Sequence, residues 1–334
     1  MPEGLTLTLL AVLGLAVVFD YVNGFHDTAN AIATSVSTRA LRPEYAILLS
    51  ASANFIGALT GTAVAKTIAS GIVTAPEGHA GQVVVAGALV GGITWNLITW
   101  RIGIPSSSSH ALIGGLIGAA AVAGGIGAWQ IDGIIYKVLL PLVGSPLIGL
   151  AVGYVFMVVL LNLFQRANPH TVNGIFRRLQ VLSASYMAFG HGSNDAQKTM
   201  GIMTLALVAA GILPTPDVPV WVILLAATAI SLGTAAGGWR IIRTMGQRVV
   251  KLDPVHGFAA ETTAASVILT ASHFGVPVST THVISSAIMG VGSSDRFSAV
   301  RWGIAGDIVV AWVLTIPASG LVAGVTYAVL RLFL

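Results

Sequence analysis

The octet Gly103-Ile104-Pro105-Ser106-Ser107-Ser108-Ser109-His110 occurs twice in this chain. The second copy is Gly275-Val276-Pro277-Val278-Ser279-Thr280-Thr281-His282, displaced by 172 residues at both its glycine and its histidine. Each copy breaks the backbone with Gly-x-Pro, presents three hydroxyl residues, and leads into an apolar run at 111–121 or 283–291. The hydroxyls therefore stand where a helix begins. Ser and Thr cap such starts, and a helix start carries free N–H groups and a partial positive charge. One serine so placed would be ordinary capping or interhelical bonding, about 0.6–2 kcal/mol. Six hydroxyls in two matched clusters, costly to bury unless something polar meets them, point to a binding site. Two such starts facing each other would hold an anion.

The surrounding chain leaves little choice of solvent. Of 334 residues, 55% are hydrophobic and 8% charged, where a soluble domain carries roughly 25% charged residues. With a mean hydropathy of +0.88, this reads as an all-α polytopic membrane protein without a soluble domain. The 39 glycines and 13 prolines suit helices that pack closely or break inside a bilayer. No cysteine is present, which excludes disulfides, thiolate metal sites and cysteine nucleophiles. The net charge of +4 comes mostly from short loops, where it sets topology, so no nucleic-acid partner is expected. Residues 5–19 lack a basic n-region and lead into polar motif residues, so they read as a retained first helix and not a signal peptide.

A membrane helix needs about 20 mostly apolar residues. Candidate spans are 5–22, 44–70, 82–100, 110–126, 133–164, 181–190 with its polar continuation, 199–213, 219–239, 257–274, 282–292 and 302–333, or about 10–12 membrane helices. Pro141, Pro146 and Pro317 are expected break points in the two longest stretches. Basic loops lie at 39–42, 166–178, 240–251 and 296–301, whereas 76–81 and 214–219 carry acids without Lys or Arg. The first group is expected in the cytoplasm and the second outside. The N-terminus is then outside if 5–36 crosses once.

A second motif is also duplicated. Gly24-Phe25-His26-Asp27-Thr28-Ala29-Asn30 corresponds to Gly192-Ser193-Asn194-Asp195-Ala196-Gln197-Lys198, 168 residues later. The order, acid motif then octet, is kept in both halves. The chain thus divides into a first repeat at 1–165, a cytoplasmic connecting loop at 166–180 and a second repeat at 181–334. Repeats of this kind place the substrate and coupling-ion site at their interface, near the midplane, on broken helices.

Asp27 and Asp195 are intramembrane acids, which mark an ion or proton path by default. Unscreened, they would repel an anion strongly at low dielectric. A cation or proton between acid and anion removes that conflict and gives a reason for cation coupling. Asn30, Asn194 and Gln197 are amides suited to both ions. His26 is either a proton relay or a packing histidine, and His110 and His282 either anchor their half-helices or touch substrate. Lys198, in the place of Asn30, either pairs with Asp195 or helps neutralise the anion. Glu261 is either a coupling carboxylate or a helix-start acid near the surface. Asn54 and Asn96 are expected to join helices together, and Lys66 to be a snorkelling or interfacial residue. There is no GxxxxGK[ST] loop, no HExxH and no Gly-x-Ser-x-Gly elbow, so neither ATP drive nor hydrolase chemistry is supported.

These residues carry a resemblance. The paired acid motifs, Gly190-His191-Gly192-Ser193-Asn194-Asp195, the segments Pro105–His110 and Pro277–His282, and Gly233-Thr234-Ala235-Ala236-Gly237-Gly238-Trp239-Arg240 are similar to those of the inorganic phosphate transporter (PiT) family, over about residues 10–330. The resemblance implies two inverted-topology repeats with broken or re-entrant half-helices, and secondary symport of inorganic phosphate by alternating access. It implies drive by Na+ or H+ with no other cofactor, some bacterial members carrying a neutral metal–phosphate complex. A homodimer in the cytoplasmic (inner) membrane, surrounded by lipid, is implied as well.

The expected phosphate site is Asn30, Ser107, Ser108, Ser109, Gln197, Lys198, Ser279, Thr280 and Thr281. The expected cation-coupling residues are Asp27, Asn194, Asp195, His26 and Glu261, with Asp27 and Asp195 as Na+ ligands in a sodium-driven protein. Two departures, Phe25-His26-Asp27 where many members have Ala-Asn-Asp and Asn54 where several eukaryotic members have Glu, resemble the bacterial proton- or metal-phosphate-linked branch. A sulfate permease or a passive anion channel would use the same chemistry.

Overall fold

The computed structural model describes residues 6–333, so Leu5, where the first helix is expected to begin, lies outside the described residues. In chain order the first half contains α1 (Leu7–Ser37), α2 (Pro43–Ala58), α3 (Ala63–Ser70), α4 (His79–Ile102), α5 (Ser108–Gly124) and α6 (Ile131–Phe164). The second contains α7 (Pro169–Ala209), α8 (Val220–Ala236), α9 (Trp239–Arg248), α10 (Pro254–His273), α11 (Thr280–Asp295) and α12 (Trp302–Leu330). Each helix of the first half has its counterpart six places later. The pair α2–α3 is bent by 70° and its counterpart α8–α9 by 61°. Among the described residues, four helices are long and apolar enough to cross a membrane, or up to six if each bent pair is one span.

The halves interlock. α5 packs on α12 and α11 on α6, while α2 lies on α7 and α8 on α1. The close crossings use matched glycines. A Cβ on Gly57 of α2 would strike the Phe189 carbonyl of α7, and one on Gly233 of α8 would strike the Tyr21 carbonyl of α1. The central pair, α1 and α7, runs antiparallel. Asp20 accepts a hydrogen bond from the Thr199 hydroxyl at 2.8 Å at one end, and Thr38 donates to Gln180 at 2.7 Å at the other. Asp27 and Asp195 lie between these contacts.

The two ends of the bundle sort by charge. Basic loops meet where Arg301 N–H donates to the Val249 carbonyl at 3.0 Å and Thr38 meets Gln180. The acidic loops meet at the other end, where Gly78 N–H donates to the Ala209 carbonyl at 2.7 Å. There Lys66 pairs with Asp217 at 2.7 Å. Hydrogen bonds from that ammonium and from the Thr215 hydroxyl hold the Asp217 carboxyl below the usual carboxylate range.

Three expectations change. Residues 166–180 are not a loop throughout: Asn168 caps a helix by accepting from His170 N–H at 2.9 Å, and Pro169 opens α7 at its first turn. α7 then runs 41 residues without a break. Its polar motif divides the hydropathy profile into 181–190 and 199–213, but those polar side chains are buried inside the bundle, so the helix continues. Third, α6 and α12 run through their prolines. Pro141 follows a π-helical turn at Ile135–Leu139, which already widens the hydrogen-bond ladder. Pro146 and Pro317 lie inside helices, and neighbouring helices re-satisfy the freed carbonyls.

Gly57→Ala and Gly233→Ala are each expected to destabilise the protein by about 1–3 kcal/mol or more through backbone overpacking. Gly127→Ala, with open space around its Cβ, is the control. Thermal unfolding in detergent checks the difference.

Candidate functional site

The two octets build the same local structure. Gly103 and Gly275 end α4 and α10 with φ of 75° and 68°, a left-handed conformation that glycine adopts without strain. Ser107 then accepts from His110 N–H at 3.1 Å and Ser279 from His282 N–H at 3.2 Å, capping α5 and α11. Thr244 donates to the Gly103 carbonyl at 2.7 Å and Thr67 to the Gly275 carbonyl at 2.8 Å. Each turn is therefore held by the bent pair of the opposite half.

The two helix starts converge on the α1–α7 crossing. Asn30 donates to Thr281 at 2.9 Å and to Thr280 at 3.3 Å. Thr280 donates to Asp195 at 2.9 Å, and Thr281 lies 3.4 Å from Asp27. Lys198 bonds Asp195, the Ser109 hydroxyl and, at 2.8 Å, the Val278 carbonyl. One ammonium thus touches both octets and one acid. Of the two sequence readings of Lys198, pairing with Asp195 is realised, and the reach to Ser109 keeps it beside the other helix start as well. All these side chains are buried.

His26 and Asn194 hold equivalent places, and each bonds a helix that leads into an octet. His26 contacts Asp27 at 2.6 Å and Thr99 of α4 at 3.0 Å, and Asn194 donates to Ser272 of α10 at 2.7 Å. Both tie a central helix to the end of a helix that precedes an octet. The rings of His110 and His282 lie 4.8 Å apart, and His282 stacks on Trp312 at 4.0 Å. All four of their ring nitrogens are buried without a hydrogen-bond partner, so neither ring anchors its half-helix by a hydrogen bond.

Several buried polar atoms at this point have no hydrogen-bond partner: the Ser108 hydroxyl and the side-chain oxygens of Asn30 and Asn194. A buried hydroxyl at a helix start is a donor available to an anion, and two amide oxygens are acceptors available to a cation.

Two expected site residues lie elsewhere. Gln197 accepts from Val64 N–H at 2.8 Å and donates to the Ser193 carbonyl at 2.6 Å, so its amide caps α3 instead of joining the octets. Glu261 is fully buried, not a surface acid. It accepts from Thr34, Ser183 and Gln180, a separate cluster toward the basic end, away from the octets. His191 is not among the site residues expected from sequence. Its Nε2 lies 3.1 Å from Asp195 and its Nδ1 3.2 Å from Asn54, which donates in turn to Thr234 at 2.8 Å. The spacing of four residues from Asp195 on one helix face is the available signal. Asp27, His191 and Asp195 each offer a ligand atom within 4.8 Å of the others.

A duplicated all-helical bundle with an apolar outer surface and a buried polar centre at the crossing of its halves has the build of a membrane transporter. The sequence pattern of the phosphate transporter family matches residues 23–171 and 164–323. The chain belongs to the phosphate transporter family. It is 47% identical over 329 residues to a Bacillus subtilis protein named "Probable low-affinity inorganic phosphate transporter", covering 98% of both chains. A Rhizobium meliloti protein of the same name is 48% identical over 321 residues, covering 96% of this chain and 95% of the other. A solved structure described as "The sodium-dependent phosphate transporter" superposes with a TM-score of 0.90 at 26% identity, covering 98% of this chain and 100% of that one. The protein is a transporter and not an enzyme, and a multi-pass protein of the cell membrane.

Lys198→Met is expected to cost about 3–5 kcal/mol, because Asp195 would remain buried without its cation. Lys198→Met with Asp195→Asn should cost less than the sum of the two single changes, read as unfolding temperatures in detergent.

Proposed function

We propose that this protein is a secondary symporter of inorganic phosphate, coupled to H+ or Na+ and working by alternating access. The observation that carries this reading is the convergence of two capped helix starts from opposite halves, with Lys198 bridging them and the Ser108 hydroxyl unpartnered. N–H groups, hydroxyls and an ammonium form the donor set that a tetrahedral oxyanion needs. The names of the relatives and the structural neighbour support phosphate as that oxyanion. A protonated phosphate can also donate to Asp27, whereas sulfate has no proton to give.

The cation completes the charge balance. Two acids face one ammonium, so a bound anion adds charge that a proton or metal ion must offset. Asp27, Asp195 and His191 stand close enough to share such an ion, and the structural neighbour described as sodium-dependent supports sodium. Residues 1–165 and 181–334 are then the two repeats, inverted relative to each other as the antiparallel α1 and α7 suggest. Their rocking about the crossing would expose the site to each side in turn.

Phosphate uptake into proteoliposomes, with sodium and pH gradients imposed separately, is the test. Accumulation driven by either gradient identifies the ion and eliminates a passive channel. Sulfate accumulating in place of phosphate overturns the substrate. Asp195→Asn keeps an acceptor oxygen for Lys198 but removes the charge, and is expected to abolish concentrative uptake per folded molecule. Ser108→Ala with Thr280→Ala should weaken apparent phosphate affinity about tenfold or more, at ~0.5–1.5 kcal/mol per lost hydrogen bond. Unchanged affinity would refute the anion site.

A further inference from the structure

The duplication allows each residue to be compared with its counterpart across the crossing, and one group of counterparts differs sharply. On the side of the acidic loops a cavity of about 250 Å³ is lined by Thr60, Ala63, Ser193, Gln197, Ser272 and His273. Thr60 and His273 are exposed at its mouth, while Ser193, Gln197 and Ser272 are buried below them. Its floor is the Asn194–Ser272 hydrogen bond, one residue from Asp195. The wall is joined by small neutral groups, Thr60 donating to Ser193 at 3.1 Å.

The 168-residue displacement of the acid motifs makes Phe25 the counterpart of Ser193, and the 172-residue displacement of the octets makes Trp100 the counterpart of Ser272. The matched bonds of Thr67 and Thr244 to the octet glycines set a displacement of 177 for the bent pairs, which makes Arg240 the counterpart of Ala63. The contacts agree: Gly103 lies against Arg240 as Gly275 lies against Ala63. On the basic side these larger residues form a plug. The Phe25 and Trp100 rings lie 4.9 Å apart, the Arg240 guanidinium lies 4.9 Å over the Trp100 ring, and it donates to the Arg101 carbonyl at 2.6 Å. Aromatic rings under a guanidinium exclude water and hold together without a charged partner.

We propose that Thr60, Ser193, Ser272 and His273 form the outer vestibule through which the anion reaches the helix starts, and that Phe25, Trp100 and Arg240 form the opposing cytoplasmic gate. The assignment of sides follows the basic loops, and the proposal rests on the alternating-access reading above. Opening toward the cytoplasm requires Phe25 to leave Trp100. Opening outward requires only that neutral hydrogen bonds between small side chains exchange for water.

The chain contains no cysteine, so single cysteines report access directly. Ser272→Cys should react with a membrane-impermeant thiol reagent added outside. Ala29→Cys, at the counterpart of Gln197, should react from the cytoplasmic side at least tenfold more slowly. Adding Phe25→Ser and Trp100→Ser, the residues of the other half, should raise the Ala29→Cys rate at least tenfold. Arg240→Gln, at an exposed position where folding is not at risk, should raise it by a smaller factor. A Ser272→Cys protein inert from outside, or an Ala29→Cys rate from the cytoplasm untouched by all three changes, would overturn the gate. The rates are read without phosphate. Expected labelling with no phosphate uptake would leave the gate standing and overturn the proposed cargo alone.

Discussion

A helix that begins inside a bilayer exposes N–H groups that no water can meet, and every other feature of this fold is arranged around two such beginnings. Each must have its preceding turn, its cap and its neighbours supplied by the protein. Gly103 and Gly275 supply the turn, Ser107 and Ser279 the cap. The carbonyls left by the turns are taken by Thr244 and Thr67, each from the opposite half. Neither octet is therefore complete in its own repeat. This explains why the halves interlock, with α5 on α12 and α11 on α6, and why glycine recurs where their backbones cross.

The same dependence governs the buried charges. Perfect duplication would have placed two identical acid motifs at the crossing, each with the same neighbours. Instead the copies have diverged so that their partners complement each other. Asn30 stands where the other half has Lys198, and His26 where it has Asn194. Asp195 is satisfied by an ammonium, while Asp27 has a histidine and a distant hydroxyl. On the proposed reading this inequality divides the labour. The Asp195 side is prepaired and supports the anion through Lys198, and the Asp27 side retains the capacity to take up a cation. An Asp–Lys pair in both halves would lower the demand for a coupling ion by one charge.

What the sequence made legible was whatever duplication and chemistry marked together: the octets as helix starts, the acids at the crossing, Asn30 and Lys198 beside them. Those residues are short-range or repeated, so spacing alone locates them. Less was legible where the third dimension decides. The motif from Gly190 to Lys198 looks like an interruption in a hydropathy profile, yet its side chains face the bundle interior and α7 passes through unbroken. Gln197 shares that motif and looks like a ligand, but its direction from the helix turns it toward Val64 and α3. Glu261 reads from sequence either as a coupling carboxylate or as a helix-start acid near the surface, and its burial excludes the second. Only packing shows Thr34, Ser183 and Gln180 arranged around it. Proline gave the opposite error at Pro146, which lies inside a helix that continues through it.

Divergence between the halves is not spread evenly. At the helix starts the residue types are kept: hydroxyl opposite hydroxyl, histidine opposite histidine, acid opposite acid. One layer farther out they are not, and Phe25, Trp100 and Arg240 face Ser193, Ser272 and Ala63. On the proposed reading, the hydroxyls and acids of a centre used from both sides have reason to be kept, since the same ion must fit whichever side is open. Its two exits have no such reason. Two equal vestibules would make the inward- and outward-open forms nearly equal in free energy and leave the choice to the ligands alone. Unequal exits bias the empty protein toward one side before any ion binds, and a ligand can move that balance only by its differential affinity for the two forms. On the proposed reading, larger, aromatic and cationic residues on the basic side place that bias toward a closed cytoplasmic face.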